Sequence, residues 1–169
     1  MSRLLLIGLL SIVTGLPGMA FAQTRSVQAE LLNTIKVKKA KVGDPVKARV
    51  VNSVTLANGV TVASDSVILG EVRSADANSV VISFDRVDFK GKKTPLILSI
   101  RAAMMPGVDT SNTARKLNAQ NGSVIGMPDV TLQVDESPAH ASKFESESKN
   151  FELKHGLQLM LAPPEAAAQ

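Results

Sequence analysis

The stretch Val46-Lys47-Ala48-Arg49-Val50-Val51-Asn52-Ser53-Val54-Thr55-Leu56-Ala57-Asn58-Gly59-Val60-Thr61-Val62 decides the fold class. Val46, Ala48, Val50, Val54 and Leu56 keep one parity over eleven residues, with Asn52 as a polar break. Successive side chains of a strand point to opposite faces, so this period of two predicts one half-buried strand over 46–56. Asn58-Gly59 follows. That pair readily takes the positive φ values of a tight hairpin turn, after which Val60 and Val62 begin the returning strand.

The same period extends outward. Upstream, Val27, Ala29 and Leu31 alternate. Downstream, Ser64-Asp65-Ser66 reads as a turn and Val67 to Val72 as a strand, in which Gly70 allows a bend or a close neighbour. Val80, Ile82 and Phe84 share one face, but Val87 and Phe89 have the opposite parity. One inserted residue near Asp85-Arg86 would return both sets to the core, so a β-bulge is predicted there. Lys90-Gly91-Lys92 turns the chain, and Leu96, Leu98, Ile100 and Ala102 form a strand whose early Pro95 fits only at its start or on an edge.

After Met105-Pro106 the character changes. Residues 106–128 are rich in Gly, Asn, Ser and Thr and predict a long, mobile loop. Val130, Leu132 and Val134 make a short strand, 135–149 is polar, and Phe151 to Leu161 with Gly156 closes the domain. Residues 162–169 read as a disordered tail. The expected fold is all-β: a small, closed or partly open, soluble β-barrel of about 7–9 mostly antiparallel strands. It forms a single domain over 23–161, with a loop-rich insert at 106–149 between the main strands and the C-terminal strand.

The first residues read as an export signal. Arg3 supplies a positive n-region, Leu4 to Val13 an apolar h-region, and Ala20-Phe21-Ala22 a small-x-small cleavage site. Gly15, Pro17 and Gly18 interrupt the run before it reaches the roughly 20 apolar residues of a membrane span. Cleavage is expected after Ala22, so residues 1–22 are a signal peptide and the working protein is periplasmic or secreted, with no integral span. The chain has no Cys, which excludes a lipoprotein anchor and leaves the core alone to hold the fold.

Composition narrows the partners. There are 19 basic and 15 acidic residues for a formal net charge of +4, and loss of Arg3 with the leader lowers it by one. This mild bias is no nucleic-acid signature, and specific nucleic-acid binding is not expected. With no Trp, no Tyr, and only Phe84, Phe89, Phe144 and Phe151 after the leader, there is no stacking platform for sugars or bases. The aromatic girdles of an outer-membrane barrel are missing for the same reason.

The order of pieces resembles a known domain. Ala29-Glu30-Leu31, Gly43-Asp44-Pro45-Val46-Lys47-Ala48, Asn58-Gly59, Leu69-Gly70-Glu71-Val72, Phe84-Asp85-Arg86-Val87 and Gly91-Lys92-Lys93-Thr94-Pro95-Leu96 look like the C-terminal β-barrel of TrbI-like conjugation and type IV secretion channel proteins. Asn150-Phe151-Glu152-Leu153-Lys154-His155-Gly156-Leu157-Gln158-Leu159 is similar to the last strand of that domain. The resemblance covers roughly residues 27–103 and 150–161, and it extends to stand-alone secreted versions of this barrel. Val62-Ala63-Ser64-Asp65-Ser66 replaces the family's Ile-Pro-Lys-Gly-Ser turn, and residues 104–149 hold no apolar helix able to line a pore. The resemblance thus implies the fold and not the channel.

The chemical motifs are thin. Ser146-Glu147-Ser148-Lys149 satisfies S-x-x-K, but the accompanying S-D-N and K-T-G elements are absent. His140 and His155 lack ligand spacing, so no metal and no cofactor are expected. Asp85 and Asp88 fall on opposite faces of a strand unless the bulge intervenes. The surface feature that stands out is basic: Lys36, Lys38, Lys39, Lys41, Lys47 and Arg49 put six cations into fourteen residues opposed only by Asp44. Such a run can hold anionic envelope polymers or lipid headgroups at low salt, and its more ordinary reading is a solvated loop plus strand edge whose lysines block aggregation. The sequence therefore points to a non-catalytic exported module that binds a cell-envelope component, a protein partner or copies of itself. The alternative is a small secreted hydrolase with an unidentified serine or carboxylate site.

Overall fold

A computed structural model describes residues 26–108, 122–134, 140–148 and 150–164. The leader at 1–22 and residues 165–169 of the tail lie outside the described residues. The first eight strands are β1 (Val27–Leu31), β2 (Ile35–Lys36), β3 (Pro45–Val50), β4 (Val54–Thr55), β5 (Thr61–Val62), β6 (Val67–Ala75), β7 (Ser79–Phe89) and β8 (Lys92–Met104). Then come β9 (Ser123–Ile125), β10 (Val130–Val134), β11 (Ser142–Ser146), β12 (Glu152–Leu153) and β13 (Gln158–Ala162). A 3-10 turn over Val37–Lys39 links β2 to β3. No helix among the described residues is long and apolar enough to cross a membrane.

Nine strands form one sheet in the order β10-β11-β7-β6-β3-β1-β13-β8-β9, and β7 also pairs with β8. That extra pairing closes six antiparallel strands, β7-β6-β3-β1-β13-β8, into a barrel. Among the described strands only β9 runs parallel to its neighbour, β8. Closure removes most of the sheet edge, which would otherwise invite pairing with other chains. The core is the inward set that alternation specified: Val27, Ala29 and Leu31 of β1 and Val46, Ala48 and Val50 of β3 are all buried.

Bulges bend the strands, among them one at Arg73 of β6, between the Val72–Ile82 and Ser74–Val81 pairs. Against β8, Phe84 faces Leu98 and Arg86 faces Pro95, so there the extra residue lies on β8, at Leu96-Ile97; against β6, Leu69 faces Arg86 and Gly70 faces Phe84, leaving Asp85 as an extra residue of β7. This is the bulge expected near Asp85-Arg86. It returns Val87 to the core, whereas Phe89 stands 41% exposed, because the β7–β8 hairpin runs past the core at its tip. A bulge at Arg101 is a further one, with no signal in the strand period. Met160 faces Ala102 and Leu161 faces Ile100, so Arg101 is the extra residue of β8. Ala103, not Ala102, therefore joins Leu96, Leu98 and Ile100 in the core cluster.

Other boundaries also shift. The stretch 46–56 is not one strand: β3 ends at Val50, where Val51 N–H donates to the Gln28 carbonyl, 2.9 Å, and a separate β4–β5 ribbon follows. Leu56 and Val62 of that ribbon still reach the core. Of Asn58-Gly59 only the glycine is left-handed (φ +80); Gly59 N–H donates to the Leu56 carbonyl and Leu56 N–H to that of Val60, so the loop is longer than a two-residue turn. Lys90 (φ +53) and Gly91 (φ +84) instead form the two-residue turn of positive φ, between β7 and β8. The closing segment 151–161 divides into β12 and β13, and β13 continues through buried Ala162, one residue into what reads as tail.

The largest departure is the insert. Beyond the Phe84–Leu98 pair β7 and β8 separate, and the gap is filled from 106–149, where the sequence suggests a loop apart from β10. β9 adds to β8 at Ala102–Met104, and β11 adds to β7 at Ser79–Ile82, with β10 outside it. Ser142 joins the two sides: its Oγ accepts from Ile100 N–H, 2.8 Å, and donates to the Ile100 carbonyl, 3.3 Å. One hydroxyl thus replaces a strand partner for a fully buried backbone group. Ser142→Ala leaves both Ile100 groups unmatched and is expected to cost about 1–3 kcal/mol. Urea unfolding measures the loss, and an unchanged midpoint would show that the hydroxyl is dispensable.

A candidate anion-binding surface

The basic segment is built on a short scaffold. Leu153 of β12 pairs with Ile35 of β2, and Glu152 with Lys36. Val37, almost fully buried, anchors the 3-10 turn and leaves Lys38 and Lys39 exposed. Next, Lys41-Val42-Gly43-Asp44 closes with Asp44 N–H donating to the Lys41 carbonyl, 3.0 Å, and with Gly43 at φ +89, as in a type II turn. The turn is tied down on both sides. Gly43 N–H donates to the Val72 carbonyl, 2.8 Å; Val72 N–H donates to that of Asp44, 2.9 Å; and Lys41 N–H donates to Asp44 Oδ2, 2.8 Å.

The six cations do not form one patch. Lys36 and Lys39 line a cleft of about 340 Å³ with Asn33, Thr34, Asp44 and Pro45. Asn33 holds its wall in place: Nδ2 donates to the Pro45 carbonyl, 3.1 Å, and Oδ1 accepts from Lys47 N–H, 2.9 Å. Lys47 and Arg49 share the outer face of β3, while Lys38 and Lys41 stand exposed on the connection. Two of the six are matched by carboxylates. Lys36 Nζ lies 3.8 Å from Glu152, and Arg49 Nη2 lies 3.0 Å from Glu30, its direct cross-strand neighbour. Among the described residues no carboxylate comes within ion-pair distance of Lys38, Lys39, Lys41 or Lys47. These four are available to an external anion.

Of the catalytic candidates, Ser146 stands on β11 and Asp85 and Asp88 on β7. Ser146 is buried, and its Oγ accepts from Ser148 N–H, 3.1 Å, while Lys149 lies outside the described residues. Asp85 pairs with Arg86, 2.9 Å, and Asp88 accepts from Gly91 N–H, 2.9 Å, in the hairpin turn. Each carboxylate is spoken for, and the two do not share a partner. His155 N–H donates to Thr34 Oγ1, 3.1 Å, and His140 offers its carbonyl to Ser99 Oγ, 3.2 Å. No group of three or more His, Asp or Glu among the described residues is arranged to hold a metal.

Two features escaped the sequence reading. Val42, at the tip of the type II turn, is 72% exposed, and Arg101, at the bulge of β8 opposite β13, has a relative exposure of 8%. Val42 was legible as an apolar residue between Lys41 and the turn pair Gly43-Asp44. Arg101 was legible as a charge inside an apolar strand. Comparison with protein-family models and with curated proteins finds no match, so the likeness to TrbI-like barrels rests on the quoted residues alone.

Proposed function

We propose that this chain is an exported, non-catalytic β-barrel module that binds an anionic component of the cell envelope through its Lys36–Arg49 segment. The observation that carries this reading is the set of four lysines, Lys38, Lys39, Lys41 and Lys47, with no carboxylate in reach among the described residues. The TrbI-like resemblance and the leader belong to the same proposal: a barrel of that kind, delivered outside the cytoplasm without channel-forming parts. Self-association is less well supported. Residues Lys92 to Leu98 of β8 have no second strand partner among the described residues, yet Lys92, Lys93 and Pro95 on that edge are residue types that oppose strand addition.

The test is retention of the purified chain on cell-envelope fractions across a salt series. Binding at low ionic strength is expected to vanish near 1 M salt, where the screening length falls to about 3 Å. Replacing Lys38, Lys39, Lys41 and Lys47 together by Glu is expected to weaken retention by at least about tenfold, since each lysine near an anionic surface contributes about 1 kcal/mol. Salt-independent retention, or retention unaffected in the fourfold variant, would move the binding surface elsewhere.

A further inference from the structure

We propose that Val42 and its neighbouring lysines form a docking tip for an anionic lipid bilayer. This rests on the reading of the basic segment as an anion-binding surface and names the anion: lipid headgroups over a hydrocarbon layer. Val42 is the most exposed large hydrophobic among the described residues, at 72%. It does not belong to the core cluster. Its exposure is imposed by the backbone, because hydrogen bonds to Val72 and within the Lys41–Asp44 turn hold the tip outward.

The charge around the tip fits the same occupant. Lys38, Lys39 and Lys41 are exposed within four residues of it, and the acidic residue of the turn, Asp44, turns one carboxylate oxygen back onto Lys41 N–H, while Glu71, opposite Pro45, pairs with Arg73. A soluble polyanion would engage the lysines and gain nothing from an isopropyl group. A bilayer uses both, since interfacial binding sums buried apolar area and attraction to anionic headgroups. One valine and a few lysines give shallow, reversible docking, not insertion.

The experiment is co-sedimentation of the purified chain with vesicles of phosphatidylglycerol and phosphatidylethanolamine, with phosphatidylcholine vesicles and soluble polyphosphate as separate arms. Val42→Ser is expected to bind the anionic vesicles up to about tenfold more weakly, the scale of burying one valine side chain, and polyphosphate equally well. Val42→Trp is expected to bind the same vesicles more tightly. Lys39→Glu with Lys41→Glu should weaken both ligands. If envelope fractions or polyphosphate bind but anionic vesicles do not, or if neither Val42 variant changes vesicle binding, the lipid assignment is overturned while the anion-binding reading stands. Loss of every arm removes both. Because Val42 lies outside the core, unchanged β-type circular dichroism confirms that each variant is folded.

Discussion

Gly70→Ala is expected to destabilise the barrel by about 3 kcal/mol, the upper range for overpacking, and to lower its melting temperature on the order of 10 °C. Gly70 lies on β6 where that strand crosses Phe84 of β7. A Cβ there would collide with the Ser83 backbone carbonyl and come within 2.7 Å of the Phe84 ring. Phe84 is itself almost fully buried and faces Leu98 across the closing β7–β8 pair. The ring can be trimmed but the carbonyl cannot move without breaking the β6–β7 ladder. Adding Phe84→Leu to Gly70→Ala is therefore expected to give no rescue. Denaturant midpoints of the single and double variants decide the matter; a Gly70→Ala protein as stable as the parent would mean that β6 and β7 separate easily here.

Phe144→Ala is the second large effect, about 3–5 kcal/mol if the domain unfolds as one unit. Phe144 is fully buried and lies between Leu132 of β10 and Val80 of β7 in the pairing. It is the one large apolar residue on β11, whose other inward positions are Ser142 and Ser146. Because β11 pairs with the barrel sheet along Ser79–Ile82 and otherwise meets it through Ser142 at Ile100, its loss should loosen β10 and β11 before the six-stranded ring. Hydrogen exchange is expected to show faster opening of β10, β11 and the Ile100 amide than of β1, β3 and β6. Uniform acceleration across all strands would instead identify the insert as part of a single cooperative unit.

The chemistry of the basic segment was partly legible. Lysine spacing identified the cations, but the strand period could not say which ones would find carboxylates. Glu30 meets Arg49 only because β1 and β3 pair in one register, and Glu152 reaches Lys36 from more than a hundred positions along the chain. Register is a property of two strands, so it is not written in either one.

By itself the sequence determined the all-β class, the inward faces of β1 and β3, the bulge at Asp85 and the Lys90-Gly91 turn. Each follows from period two or from local backbone preference, which neighbours along the chain decide. The tertiary structure alone decided the closure of six strands, the bulge at Arg101, and the conversion of part of 106–149 into strands. β11 carries a single large apolar side chain, so hydrophobic alternation gave no signal. It becomes a strand because the opened β7–β8 pair presents unmatched backbone groups that buried Ser142 and the β11 backbone satisfy.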